Sequence, residues 1–331
     1  MVEVVLTGDR PSGPLHLGHY VGSLVTRLQL QKTPKYRQYV MVADLQALTD
    51  YAQSPELVRT NVSEVVMDYL AVGLDPSKSV IFVQSGVPEL AELTIYLMNL
   101  VSLGRLKRNP TVKAEIAQKA YDERSVSVGF LCYPISQAAD ITAFKAELVP
   151  VGEDQAPMIE QTNEIVRKFN STYNASILKE AKALFSTTSR LVGLDGKAKA
   201  SKSLNNAISL KDTPDEIRSK VFSMFTDPNH IRVNDPGQVE GNVVFSYLDA
   251  LYEDRQDLQE LKARYSRGGL GDVVIKSLLN DVLQKLLLPI RESRRSISKD
   301  VVQEVLSSGT EKARKVAATT LLEVREAMRL I

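Results

Sequence analysis

Residues 2–6 form an apolar, β-branched run, residues 8–14 supply glycine and proline turn chemistry, and apolar residues then recur at helical spacing over 17–30. The alternation continues. A short apolar run over 38–43 predicts a second strand. Ser54-Pro55-Glu56 opens a second helix with proline at its first position, and Leu57, Val58, Val62, Val65, Val66, Tyr69 and Leu70 recur through it at helical spacing. Gly73 and Pro76 end it, and 80–83 reads as a third buried strand. Strand, helix, strand, helix, strand within the first third of the chain predicts a parallel sheet with right-handed crossovers and helices on both faces. Such sheets bind ligands beyond the carboxyl ends of their strands.

The loop that leaves the first strand lies at that end, and it carries Pro11-Ser12-Gly13-Pro14-Leu15-His16-Leu17-Gly18-His19. The chain has three histidines, and two of them stand here, three positions apart. A helix N-terminus presents unpaired backbone N–H groups and the positive end of the helix dipole, a docking place for an anion, phosphate first of all. Side chains at i and i+3 share a face, so both imidazoles can reach one polyphosphate, and Gly18 between them lets a base or backbone approach closely. Neither Gly-x4-Gly-Lys-Ser/Thr nor Gly-x-Gly-x-x-Gly occurs here. Two other readings stand beside this one: histidines that cap the helix, and a zinc pair, for which only Cys132 and the distant His230 remain as further ligands of the usual kind.

At 331 residues the chain is long enough for two domains, or for one large domain with an appendage. Lys plus Arg (41) nearly cancels Asp plus Glu (40), so any contact with nucleic acid has to come from local patches. Arg105, Lys107, Arg108 and Lys113 form one, either a solvated face or a phosphate contact. Residues 196–203, Gly-Lys-Ala-Lys-Ala-Ser-Lys-Ser, have the composition of a solvated linker or of a mobile loop that folds over a bound phosphate chain. One cysteine excludes an internal disulfide framework. No signal peptide opens the sequence and no apolar run approaches membrane-spanning length, so the expected location is cytoplasmic, with no membrane partner.

In the middle of the chain, 88–103 and 154–170 read as helices and 148–151 as a strand leading into Gly152-Glu153-Asp154-Gln155. Asp140 stands among Ala138, Ala139 and Ile141; a carboxylate there is either paired inside the protein or kept to accept a hydrogen bond from a ligand. From Pro214 onward the pattern is helical, over 214–224, 243–252, 258–265, 272–294 and 310–329. The predicted class is therefore α/β, with an α-helical module appended.

Together, His16-Leu17-Gly18-His19 and Lys199-Ala200-Ser201-Lys202-Ser203 resemble the paired HIGH-like and KMSKS-like motifs of class I aminoacyl-tRNA synthetases, in the same order. Within that class the chain resembles the bacterial tryptophanyl-tRNA synthetases over essentially its whole length. The likeness is carried by Pro11-Ser12-Gly13, Leu70-Ala71-Val72-Gly73-Leu74-Asp75-Pro76, Tyr133-Pro134, Ala138-Ala139-Asp140-Ile141, Val149-Pro150-Val151-Gly152-Glu153-Asp154-Gln155, Thr226-Asp227-Pro228 and Val239-Glu240-Gly241-Asn242. The resemblance implies a Rossmann-like parallel-sheet catalytic domain over 1–205 with a dimer-forming insertion. It further implies a small α-helical domain over 206–297 that reads the anticodon, and C-terminal helices over 298–331 that pack back on the catalytic domain.

The activity implied is ATP-dependent activation of L-tryptophan to tryptophanyl-adenylate, then transfer to tRNA(Trp), by a homodimer. Mg²⁺ would be held through ATP, with no metal site made of side chains. A carboxylate is already a competent nucleophile toward the α-phosphate, so catalysis would rest on orientation and charge stabilisation. By resemblance, His16 and His19 hold phosphate and ribose, Gly18 faces adenine, and Gly152 and Asp154 belong to the ATP site. Lys199 and Lys202 neutralise the departing pyrophosphate, and Ser201 adds a hydrogen bond. Tyr133 and Gln155 would bind the amino and carboxylate end of tryptophan and Asp140 would accept from the indole N–H, with Leu6, Gly8, Gln46, Gln137, Val149 and Val151 around the ring. A buried carboxylate awaiting an N–H rejects tyrosine and phenylalanine, and comparable sites discriminate by about 10⁴ to 10⁵-fold.

Four positions depart from the family's usual residues: Leu6 for phenylalanine, Gln46 for histidine, Gln137 for methionine and Ala200 for the motif methionine. The pocket changes predict an enzyme that still activates tryptophan but tolerates pocket inhibitors differently. The alternatives are a tyrosyl-tRNA synthetase, a divergent paralogue that binds tryptophan or ATP in an accessory or sensor role, and a small-molecule adenylyltransferase.

Overall fold

The computed structural model describes residues 2–118, 126–185, 191–197, 200 and 205–331. Strands β1 (Glu3–Asp9), β2 (Tyr36–Val42), β3 (Ser79–Val83), β4 (Leu148–Val151) and β5 (Lys182–Phe185) form a parallel sheet in the order β3-β2-β1-β4-β5. β1 pairs along its length with β2, from Glu3 opposite Tyr36 to Asp9 opposite Val42, and meets β4 on its other side at Val5 opposite Leu148. The chain steps outward from β1 to β3 and then crosses back for β4. That reversal opens a crevice between the carboxyl ends of β1 and β4, the place where a doubly wound sheet receives a nucleotide.

Between the strands lie α1 (Leu17–His19), a π turn (Tyr20–Leu24) and α2 (Val25–Leu30), which run on as one helical segment, then α3 (Asp44–Tyr51), α4 (Pro55–Ala71), α5 (Glu89–Met98), α6 (Leu103–Arg108), α7 (Pro110–Gln118), α8 (Val128–Ala143) and α9 (Ala156–Thr172). Helices α10 (Pro214–Phe222), α11 (Val243–Leu251), α12 (Arg255–Arg267), α13 (Asp272–Ser296) and α14 (Lys299–Ala327) complete the chain. Side chains alternate across the sheet as the pleat requires. Val40, Val42 and Ile81 join one core with α4 and α10–α13. Leu6, Tyr39, Met41 and Phe82 join the other with α5, α8, α9 and α14.

Helix α14 lies directly on the edge strand β3. A Cβ at Gly309 would stand 1.8 Å from the Ile81 carbonyl oxygen, so glycine is what lets helix and strand touch, and the Val83 N–H donates to Thr310 Oγ1 at 3.3 Å. An uncovered parallel edge would offer its backbone to other chains.

The local structure departs from sequence expectation in identifiable places. The predicted helix over 88–103 breaks after Met98 and restarts at Leu103, where Ser102 Oγ caps the Arg105 N–H at 3.2 Å. The helix expected over 310–329 begins eleven residues earlier; Ser307-Ser308-Gly309-Thr310 looks like a break by composition but is held helical by the sheet edge. The helix expected over 154–170 starts at Ala156, after a tight turn over Glu153–Gln155. Strand β5, with four residues and half of them exposed, and helix α3 carry too little periodic signal to have been expected.

Candidate active site

His16 has extended backbone, φ −129° and ψ 171°, and caps α1. Its Nδ1 accepts the Gly18 N–H at 3.0 Å, and His19 Nδ1 accepts the His16 N–H at 3.3 Å. This is a reciprocal capping box in which two imidazoles take the roles of the usual hydroxyl and carboxylate. The ring centroids are 4.0 Å apart. A neutral ring that accepts at Nδ1 carries its proton on Nε2, so each imidazole has a donor edge directed away from the backbone it caps. The capping and anion-binding readings thus coexist: the first orients the groups that the second needs.

Gly18 is required by this geometry, since a Cβ there would lie 2.8 Å from His16 Cε1, and it would stand 3.8 Å from the Cβ of Ala200. The one described residue of the lysine motif therefore sits against the histidine motif; Lys199, Ser201 and Lys202 lie outside the described residues. The segment that follows the lysines pairs antiparallel with the histidine loop. The Leu17 N–H donates to the Ile208 carbonyl at 2.9 Å and the Leu210 N–H to the Leu15 carbonyl at 3.0 Å.

At the carboxyl end of β1, Asp9 accepts from Arg27 Nη1 and from the Tyr69 hydroxyl, both at 2.7 Å. Arg27 also donates to the Gly8 carbonyl at 3.3 Å. Burial alone would push the Asp9 carboxyl up; the Arg27 charge and the hydrogen bonds from Arg27 and Tyr69 outweigh it and hold the carboxyl well below the usual range. None of Asp9, Arg27 and Tyr69 was singled out for the site from sequence.

Tyr133, Gln137 and Asp140 are spaced four and three apart on α8 and so share a face. Asp140 is 1% exposed and accepts from Gln46 Nε2 at 2.8 Å and from Gln84 Nε2 at 2.9 Å on each oxygen. Burial raises its carboxyl to about 7 against the pull of the two amides, and the nearby Asp44 charge adds to the rise. Asp44 Oδ1 accepts the Ser85 N–H at 2.9 Å, which fixes the backbone beside Gln84. The Tyr133 hydroxyl is buried and makes no hydrogen bond among the described residues, while the Arg10 guanidinium lies 5.0 Å from its ring centroid. Burial, with Glu115 nearby, pushes that hydroxyl up, and Arg10 opposes the rise. A buried orphan hydroxyl is a group awaiting a partner.

Of the remaining expected residues, Leu6, Val149 and Val151 lie on the face of the sheet that α8 covers. Leu6 and Val149 are buried in one core. Gly8 is exposed, and a Cβ there would meet the Met41 carbonyl oxygen at 2.4 Å. Gln137, Val151 and Gly152 are half-buried. Beyond β4, the Gln155 N–H donates to the Gly152 carbonyl at 2.9 Å and Gln155 Nε2 to Asp154 Oδ2 at 3.4 Å. Sequence reasoning missed Gln84, yet a signal existed: it is the polar residue directly after a buried strand, at the end of the sheet where ligands bind.

Comparison with known proteins agrees with this geometry. Residues 3–288 match the family described as tRNA synthetases class I (W and Y). The chain is 61% identical over 328 residues to the tryptophan–tRNA ligase of Clostridium longisporum, covering 98% of this chain and 96% of that one. It is 58% identical over 332 residues to the tryptophan–tRNA ligase of Streptococcus pyogenes, covering 98% and 97%. Among solved structures, the tryptophanyl-tRNA synthetase of Campylobacter jejuni in complex with ADP and tryptophan superposes with a TM-score of 0.84 at 31% identity, over 98% of this chain and 99% of that one. The parallel-sheet order and these matches over nearly the whole chain show that the chain is a member of the class I tRNA synthetases of the tryptophan and tyrosine group, within the bacterial tryptophan–tRNA ligases.

Proposed function

We propose that this chain activates L-tryptophan with ATP and transfers it to tRNA(Trp), with the site residues in the following roles. Asp140 carries the reading. It is a fully buried carboxylate held by two amides and, among the described residues, not neutralised by a cation, which suits a ligand N–H such as that of indole. Tyr133, with its unsatisfied hydroxyl, and Gln155 hold the amino and carboxylate end; Leu6, Gly8, Gln46, Gln137, Val149 and Val151 surround the ring. His16 and His19 donate from Nε2 to phosphate and ribose, Gly18 admits adenine, and Gly152 and Asp154 complete the nucleotide site. Lys199, Lys202 and Ser201 meet the departing pyrophosphate.

Imidazole N–H groups and lysines suit phosphate oxygens, and Mg²⁺ prefers oxygen ligands, so Mg²⁺ would be held through the nucleotide, where it would supply charge neutralisation along the phosphates. The chain's own part is to orient the tryptophan carboxylate against the α-phosphate.

The division into a catalytic domain over 1–205, an anticodon-reading domain over 206–297 and returning helices over 298–331 belongs to the same proposal. So does a homodimer: Ile95 and Met98 of α5, Leu103 of α6 and Val128 of α8 are exposed apolar residues. Arg105 is engaged by Glu164 at 2.7 Å, which leaves Lys107, Arg108 and Lys113 as the exposed cations of that patch for RNA phosphate. No helix among the described residues is long and apolar enough to cross a membrane, and the cytoplasm, where the tRNA is, is the proposed location.

Amino-acid-dependent exchange of pyrophosphate into ATP, run with each of the twenty amino acids, tests the reading. Exchange with tryptophan alone is expected; exchange with tyrosine and not tryptophan, or with no amino acid, overturns it.

A further inference from the structure

Three segments distant in sequence meet on one buried carboxylate. Asp68, on α4, has no solvent exposure. Its Oδ2 accepts the Leu15 N–H at 2.7 Å, and its Oδ1 lies 2.9 Å from Nη1 of Arg294 on α13. Nη2 of the same guanidinium donates to Glu64 Oε2 at 2.8 Å, and that oxygen also receives Lys211 Nζ at 2.9 Å. Lys211 adjoins Leu210, whose N–H holds the Leu15 carbonyl. Leu15, the residue that leads into His16, is therefore gripped at both of its main-chain polar groups: its N–H by Asp68, its carbonyl by the segment that follows the lysine motif.

A fold needs only apolar contact to close this space. A carboxylate clamping one main-chain amide does something narrower: it fixes the direction of the backbone that delivers His16 to its cap. A buried carboxylate is costly unless a cation compensates it, and Arg294, on the long helix of the C-terminal module, supplies one. We propose that Asp68 is a positioning residue that makes the placement of His16, and hence the ATP site, depend on the seating of α13 through Arg294. The proposal rests on the reading of His16 as an ATP-binding group.

Full-length protein carrying Asp68→Asn, Arg294→Lys or Glu64→Gln would be compared with the wild type in tryptophan-dependent pyrophosphate exchange, in tryptophan binding by calorimetry, and in thermal unfolding. Asp68→Asn keeps an acceptor for Leu15 but removes the charge facing Arg294. Arg294→Lys keeps the charge but loses the fork that spans Asp68 and Glu64. Each should raise KM for ATP or lower kcat by about tenfold, the size of one lost charge-assisted hydrogen bond, with tryptophan affinity close to the wild type. Glu64→Gln should shift the same parameters less, and the Asp68→Asn, Arg294→Lys double variant should be no worse than the worse single one. Unchanged ATP parameters in folded variants, parallel loss of ATP and tryptophan affinity, or additive effects would each overturn the proposal. If Asp68→Asn does not fold, Arg294→Lys decides the matter alone. A wild type without tryptophan-dependent exchange would instead refute the functional reading itself.

Discussion

Gln84 donates its side-chain N–H to both oxygens of Asp140, at 2.9 Å each, while Gln46 donates to Oδ2 at 2.8 Å. Oδ1 thus accepts one hydrogen bond and Oδ2 two, so Oδ1 keeps a lone pair for an indole N–H. The ionised carboxylate is the better acceptor, and burial places its titration at about 7. Tryptophan affinity should therefore weaken severalfold as the solution is taken from about pH 8 to about pH 6, and Asp140→Asn should remove the dependence. Calorimetric titration across that range reads it directly; a flat wild-type profile would count against Asp140 as the indole acceptor.

The same shift acts on the fold. The Asp140 carboxyl is raised above its ordinary value of 3.8, so the stability it contributes is fully present below that value and is lost as pH rises through about 7. Asp140→Asn, which mimics the neutral carboxyl, should unfold at a higher temperature than the wild type in mildly alkaline buffer, and the two should converge as pH falls toward 3.8. Equal melting temperatures on the alkaline side would show that the amides of Gln46 and Gln84 compensate the buried charge in full.

Capping and nucleotide binding by His16 can be separated by substitution. Asn is a good N-cap and retains a side-chain acceptor for the Gly18 N–H, whereas Ala leaves it unpaired at a cost of about 1 kcal/mol. His16→Asn should keep most of the thermal stability and lose most pyrophosphate exchange; His16→Ala should lose both. Tryptophan binding should survive in each. If His16→Asn retained wild-type exchange, the ring would be a cap and nothing more.

The parallel sheet and the first crossover were legible because strands β1 to β4 are buried apolar runs and α4 carries helical spacing between Ser54 and Gly73. The His16 to His19 pair was legible because the chain has three histidines and two stand at a helix start. What was not legible is the set of groups defined by long-range pairing. Asp9, Arg27 and Tyr69 are separated by up to 60 positions, and Asp68 meets Leu15 across 53 and Gln84 meets Asp140 across 56. Each looks like an ordinary polar residue in its own segment, and only the fold reveals that it is buried and what satisfies it. From sequence Asp140 reads equally as an internal pair or a ligand acceptor, and its two amides supply internal partners while leaving room for a ligand.

Arg27 and Asp9 form a deeply placed ion pair near the site, with side chains 2% and 12% exposed and 2.7 Å between the charged atoms. Removing one member of a buried pair leaves the other uncompensated, a loss of about 3–5 kcal/mol. Arg27→Met should lower the urea midpoint accordingly, and adding Asp9→Asn should recover part of the loss, because the stranded charge is then gone. The acid side gives an independent check. The Asp9 carboxyl is held below its ordinary value of 3.8, so its contribution is present above that value and is lost as pH falls below it. The wild type should therefore lose stability more steeply than Asp9→Asn as the solution is acidified below 3.8. Parallel acid unfolding curves would mean that Arg27 is compensated elsewhere and that the pair does not anchor the floor of the site.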